Sequence, residues 1–158
     1  MFSDAITEDL DRMLAVLTAD QPEVIDALIS DRSINEYVRW QAAQTYLHWV
    51  RDGSWTRERA VQRLRKHLRE ATRNRDHEAA TGLVSELVSY SPHECLEEIE
   101  EAFRLELVDR MTVDEMTVAR SIAEGESWFQ RELRDLRPDG IQDAVGELER
   151  WACFRESD

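Results

Sequence analysis

Glycine and proline are scarce in this 158-residue chain, with five and three copies where average usage would supply about 11 and about 8. Little material is left for the tight turns of a sandwich or barrel. Long apolar runs are also missing. The longest stretch without Asp, Glu, Lys or Arg runs from Trp40 to Val50, about half of what a membrane-spanning helix requires. Asp4, Glu8, Asp9 and Asp11 occupy the region where a secretory signal has a basic patch followed by an apolar run, so the chain reads as cytoplasmic. There are only two cysteines, Cys95 and Cys153, enough for one disulfide at most. In a cytoplasmic chain they are more simply small, buried hydrophobes. Lysine is nearly absent: Lys66 is the single one among 20 basic residues.

What is present points to a folded helical domain. Hydrophobic residues make up 42% of the chain and include five tryptophans, which argues against disorder even though the 34% of charged residues exceeds the usual quarter. At this length one domain buries roughly two thirds of its unfolded surface. Leu10, Met13, Leu14 and Leu17 fall at i, i+3, i+4 and i+7, behind a Ser3 or Thr7 cap. Pro22 suits the first turn of a short second helix carrying Val24, Ile25, Leu28 and Ile29. Ser33 with Glu36 reads as a capping box opening a third helix, which Asp52-Gly53 stops. Thr56 caps a fourth helix with Ala60, Val61, Leu64, Leu68 and Ala71 on its apolar face, and Asp76 caps a fifth. Gly82 lies inside that fifth helix, at a cost of about 1 kcal/mol relative to alanine unless it permits a close helix crossing. Ser91 with Glu94, and Thr112 with Glu115, read as two further capping boxes. Trp128, Phe129, Leu133 and Leu136, then Ile141, Val145, Leu148 and Trp151, complete a count of about nine helices.

A weak repeat runs through them. The pair Ala42-Ala43 recurs as Ala79-Ala80, a displacement of 37 residues, just below the period of HEAT and armadillo repeats. The expected architecture is all-α: a HEAT-like, right-handed α-solenoid of antiparallel helix pairs at residues 4–30, 33–75 and 76–109, with a C-terminal helical cap at 112–154, all in one domain of residues 1–158. A compact bundle is the structural alternative.

Thr7-Glu8-Asp9-Leu10, Val38-Arg39-Trp40 before Ala42, Tyr90-Ser91-Pro92 leading to Ala102-Phe103 and Leu107-Val108-Asp109, and Trp151-Ala152-Cys153-Phe154 together resemble a bacterial family of unknown function with HEAT-like helical repeats. The resemblance spans nearly the whole chain and implies a solenoid-like fold without an assigned activity. Members of that family usually have more helical sequence before the Thr7 segment, so the resemblance implies a shortened member or a fragment whose first hairpin exposes an apolar face and favours self-association. Some relatives add a cysteine-rich zinc tail of the SEC-C type. The sequence stops at Asp158, and the expectation is that no such tail belongs to it.

The net charge of −14 is unevenly distributed. Arg57 to Arg75 carries a net +6, and Glu94 to Asp109 a net −6. In a solenoid these segments are neighbours, so opposite charges are expected to pair across the seam and set which repeat stacks on which. The rival readings are a protein-binding surface comprising Arg59, Arg63, Arg65, Lys66, Arg69 and Trp55, and nucleic-acid binding through the same helix. The −20 carried by the rest of the chain opposes a polyanion.

For chemistry the sequence offers little, and no catalytic, cofactor or metal residue is assigned. His93 and Cys95 point to different faces of a helix, with no second group to complete a metal site. His48, His67 and His77 are scattered without a motif. The expected function is a protein-interaction or scaffold module with an unidentified protein partner. The alternative is an enzyme whose site lies outside this segment or is assembled from dispersed His, Glu and Arg.

Overall fold

A computed structural model describes residues 9–19 and 21–136. Among them are eight α-helices and no strand: α1 (Leu10–Leu17), α2 (Pro22–Ser30), α3 (Glu36–Arg51), α4 (Arg57–Arg73), α5 (His77–Val88), α6 (Leu96–Arg104), α7 (Glu115–Glu124) and α8 (Glu126–Asp135), with a short 3-10 turn, His93–Cys95, leading into α6. The chain is all-helical over these residues. The ninth expected helix, at 141–152, and the Ser3 and Thr7 caps lie outside the described residues.

Packing follows chain order on two levels. The odd-numbered helices touch in succession, α1 on α3, α3 on α5 and α5 on α7, while α2 meets α4 and α4 meets α6. Contacts of α3 with α2 and α4, and of α4 with α5, join the two levels. The core lies between them, with Ile25, Ala42, Tyr46, Leu64, Leu68, Ala80, Val84, Leu87 and Ala102 fully buried. Ala43 and Ala79 are buried as well, and the small side chains of both alanine pairs suit the contact of α3 with α5. Tyr46, Trp49 and Trp55 form an aromatic wedge with ring centroids 5.1–5.6 Å apart, which packs the corner between α3 and α4.

The expected caps were right where an acid or hydroxyl had no nearer partner. Thr56 accepts from the Arg59 N–H (3.2 Å) and Asp76 from the Ala79 N–H (3.2 Å). Three capping boxes are corrected. Ser33 instead donates its hydroxyl to Asp31 (2.6 Å), and Asn35 caps α3 by accepting from the Tyr37 N–H (3.0 Å). Thr112 donates to Asp109 (3.0 Å), and Asp114 caps α7 through the Thr117 N–H (2.8 Å). In both cases an aspartate within three residues captures the hydroxyl, because a charged acceptor makes the stronger bond. Ser91 adopts φ +52° and makes no cap, so α6 starts only after the 3-10 turn.

Gly82 does serve a close crossing. A Cβ there would lie 2.0 Å from Cδ1 of Trp40, whose indole N–H donates to the Glu78 carbonyl (2.7 Å). The Trp40 ring therefore lies flat against α5 where a side chain would otherwise stand. Gly82→Ala is expected to destabilise the fold by about 1–3 kcal/mol through overpacking, measured by urea denaturation. The penalty should shrink in a Trp40→Ala background, a coupling that a double-mutant cycle reads directly.

Candidate functional site

The ionisable side chains are arranged along the seams between successive helix pairs. Arg39 of α3 is 2% exposed. Its Nε donates to the Ile29 carbonyl at the end of α2 (2.9 Å), and its two terminal nitrogens fork onto Asp76 (3.3 and 2.5 Å). Asp76 simultaneously caps α5. Burial raises its carboxyl pKa, but Arg39 and the Ala79 N–H outweigh burial and leave it below the ordinary value.

A second hub is Asp26 of α2. It accepts from the Tyr46 hydroxyl (2.5 Å), from His67 Nε2 (2.8 Å) and from both Nε (3.1 Å) and Nη2 of Arg63. Burial pushes this carboxyl up, and the three partners together hold it far below the usual carboxylate range. Burial and the adjacent Asp26 charge drive the Tyr46 phenol well above its ordinary value. On the other level Asp11 and His48, both buried, lie 2.6 Å apart.

The third seam joins α4 to α6. Arg57 reaches the Tyr90 and Ser91 carbonyls (2.7 to 2.9 Å) and forks onto Glu94 (2.7 and 3.1 Å). Arg65 and Arg69 converge on Oε1 of Glu98 (2.5 to 2.9 Å). Burial raises Glu94 and Glu98, and their arginine partners bring both below the usual range. Four of these pairings, Asp11 with His48, Asp26 with Arg63, Arg39 with Asp76 and Arg57 with Glu94, separate the partners by 37 residues. This is the displacement between the two alanine pairs. Each group meets the residue one helix pair further along.

Of the six residues proposed as a binding surface, most are held within the fold. Arg63, Arg65 and Arg69 are tied to Asp26 and Glu98. Trp55 is 7% exposed, with the Arg59 guanidinium stacked 3.9 Å above its ring. Lys66 is exposed and has no partner among the described residues. It lines a hollow of about 590 Å³ with Gln62, Arg65, Arg69, Glu70 and Arg73. Arg59 and Lys66 thus reach solvent, whereas Trp55 stiffens the corner beneath them.

Among the described residues His67 lines a small cavity with Ser30, Arg39 and Asp76, and Cys95 and His93 stand apart from it. Cys95 is fully buried, and burial pushes its thiol up to about 11, opposite to an activated thiolate. His93 is exposed beside Glu94 (3.2 Å). No group of three His, Cys, Asp or Glu residues is placed to hold a metal among the described residues. His67 contacts Ser30 through Nδ1 (3.4 Å) as well as Asp26, a serine–histidine–aspartate chain that sequence reasoning missed. Ser30 is the last residue of α2, where the negative end of the helix dipole disfavours a developing oxyanion. The 37-residue displacement is the signal that could have found it, since Ser30 and His67 share it.

Over its described residues the protein is thus all-helical, with four pairs of ionisable groups that join helices across a separation of 37 residues. The chain belongs to the family described as protein of unknown function, DUF1186, whose model matches residues 1–155. Comparison with curated proteins and with solved structures finds no match. Among the described residues no helix is long and apolar enough to cross a membrane.

Asp76→Asn keeps a capping side chain but leaves the buried Arg39 with only the longer contact to Glu78 (3.8 Å), and is expected to cost about 3 kcal/mol in urea denaturation. Because the folded-state pKa values of Asp26, Asp76, Glu94 and Glu98 lie below their unfolded values, the stability they contribute is complete above about pH 5 and is lost as pH falls further. A fall in the urea midpoint from pH 5 to pH 3 checks this.

Glu86 behaves oppositely. It is buried with Oε1 unpartnered, and burial, with Asp11 and Glu132 adding, pushes it up to about 8. Between about pH 4.3 and this value the unfolded chain releases the proton that the folded chain keeps, so this group lowers stability as pH rises. Glu86→Gln is expected to raise the melting temperature at pH 8, with a gain that narrows toward pH 4 in a thermal scan.

Proposed function

We propose that this chain is a HEAT-like helical-repeat scaffold that binds another protein. A single stack of helix pairs at residues 4–30, 33–75 and 76–109, followed by a cap at 112–154, accounts for the succession of odd-on-odd and even-on-even contacts. One observation carries the functional reading: among the described residues, ionisable groups are paired from each helix pair to the next, 37 residues apart. Such pairing holds a rigid stack in register and leaves its solvent faces for recognition.

The nucleic-acid reading loses support because Arg57, Arg63, Arg65 and Arg69 of the basic helix already hold carboxylates. The enzyme reading, a site outside this segment or one assembled from dispersed His, Glu and Arg, gains the chain of Ser30, His67 and Asp26, but Ser30 at the C-terminus of α2 disfavours it as a nucleophile. Self-association is proposed through the first hairpin, where Val16, Leu17 and Val24 are exposed. The test is affinity capture with the tagged full chain in its native cell, in the presence of untagged chain, followed by mass spectrometry. Reproducible enrichment of a protein other than the chain itself is expected. Enrichment of nothing, or of nucleic acid alone, overturns the scaffold reading.

A further inference from the structure

The even-numbered helices cover one another in turn until the series stops at α6. The α7 helix packs on α5, and Gly125 at φ +57° then turns the chain. The following helix, α8, runs back toward earlier helices: Phe129 stacks on Tyr90 with centroids 6.0 Å apart, Ser89 donates to Glu132 (3.1 Å), and Arg51 donates to the Leu136 carbonyl (2.8 Å). No described helix therefore occupies the place beside α6 that α4 takes beside α2, and that α6 takes beside α4. What remains is a groove of about 370 Å³ floored by Leu96, Ile99 and Phe103 of α6 and Val118, Ala119 and Ile122 of α7. Leu96 is 38% exposed, and Ala119 and Ala123 are exposed beside it, while Ile99, Phe103 and Val118 at the bottom of the groove are buried.

Charge identifies the helix that fits. The groove is also lined by two carboxylates, Glu100 and Glu115. Glu100 is exposed with no partner among the described residues, and Glu115 is shared with Arg110 (2.7 Å). The covered flank of α6 shows what such a surface accepts, since there Arg65 and Arg69 of α4 converge on Glu98 while α4 packs against α6. The chain's own residues 137–158 carry a net −3, the wrong sign for an acidic rim.

Building on the scaffold reading, we infer that the α6–α7 groove is the docking site for a cationic amphipathic helix of a partner protein, which lays an apolar stripe on Leu96, Ala119, Ile122 and Ala123, over the buried Ile99, Phe103 and Val118, and directs arginine side chains to Glu100 and Glu115. The mode is helix-in-groove recognition, read by anchors at i, i+3/i+4 and i+7.

The probe is a pair of fluorescent 14-residue peptides with one leucine stripe, flanked by arginine in one and by glutamate in the other, titrated into the full chain by anisotropy. The arginine peptide is expected to bind at least tenfold more tightly than the glutamate peptide. Ala119→Arg, at an exposed position on the groove floor, should weaken it at least tenfold with an unchanged circular dichroism spectrum. Glu100→Gln with Glu115→Gln should weaken it several-fold and flatten its salt dependence. The inference is overturned if the arginine peptide does not bind, if Ala119→Arg leaves its affinity unchanged, or if the glutamate peptide binds equally well. Binding that appears only in a Leu148→Glu variant would also overturn it, by showing that the chain's own tail fills the groove. Affinity capture separates the two proposals: a partner retained equally by wild type and Ala119→Arg refutes the groove but not the scaffold, whereas a wild-type chain that retains nothing refutes the scaffold.

Discussion

Much of the packing converges on the buried pair between Arg39 and Asp76. One guanidinium closes the end of α2 through the Ile29 carbonyl and holds the carboxylate that starts α5, so three helices are fixed by a single side chain. Removing two charges from water is expensive, and only bidentate geometry with the remaining lone pairs satisfied compensates for it. That requirement is unforgiving of displacement. It fixes how far α5 sits from α3, and with it the crossing in which Trp40 lies against Gly82.

The outer seams use the same chemistry with different stakes. Exposed pairs contribute little to stability, typically under about 1 kcal/mol each, and Arg69 is among the exposed ones. Their value is selective. A carboxylate that gathers two arginines, as Glu98 does, or an arginine that binds two carbonyls and a carboxylate, as Arg57 does, penalises any sliding of one helix pair against the next. The buried pairs therefore set the spacing and the exposed ones the register.

The helices were legible because apolar periodicity is a property of each segment alone. The close crossing at Gly82 was also legible, since a small residue on a helix face has few other uses, and both alanine pairs are buried. Helix starts at Ser33 and Thr112 were misread because a hydroxyl followed by glutamate looks the same whether or not an aspartate nearby takes the hydroxyl first, and the start at Ser91 because its positive φ and the 3-10 turn after it leave no trace in the spacing. The opposed charges of α4 and α6 could be seen as blocks. Asp26 could not, because it is one acid in an apolar stripe whose partners lie 20, 37 and 41 residues away. Trp55 could be read from the sequence either as filling the wedge between helix pairs or as part of a binding surface, and its contact with Tyr46 and Trp49, which favours the wedge, depends on how α3 turns into α4.

The near-absence of lysine has a practical side. With Lys66 the only lysine side chain, standing exposed on α4, amine-selective reagents meet one side-chain target per molecule. A dye or cross-linker attached there reports from a known position on the convergent arginine face, without any engineered cysteine.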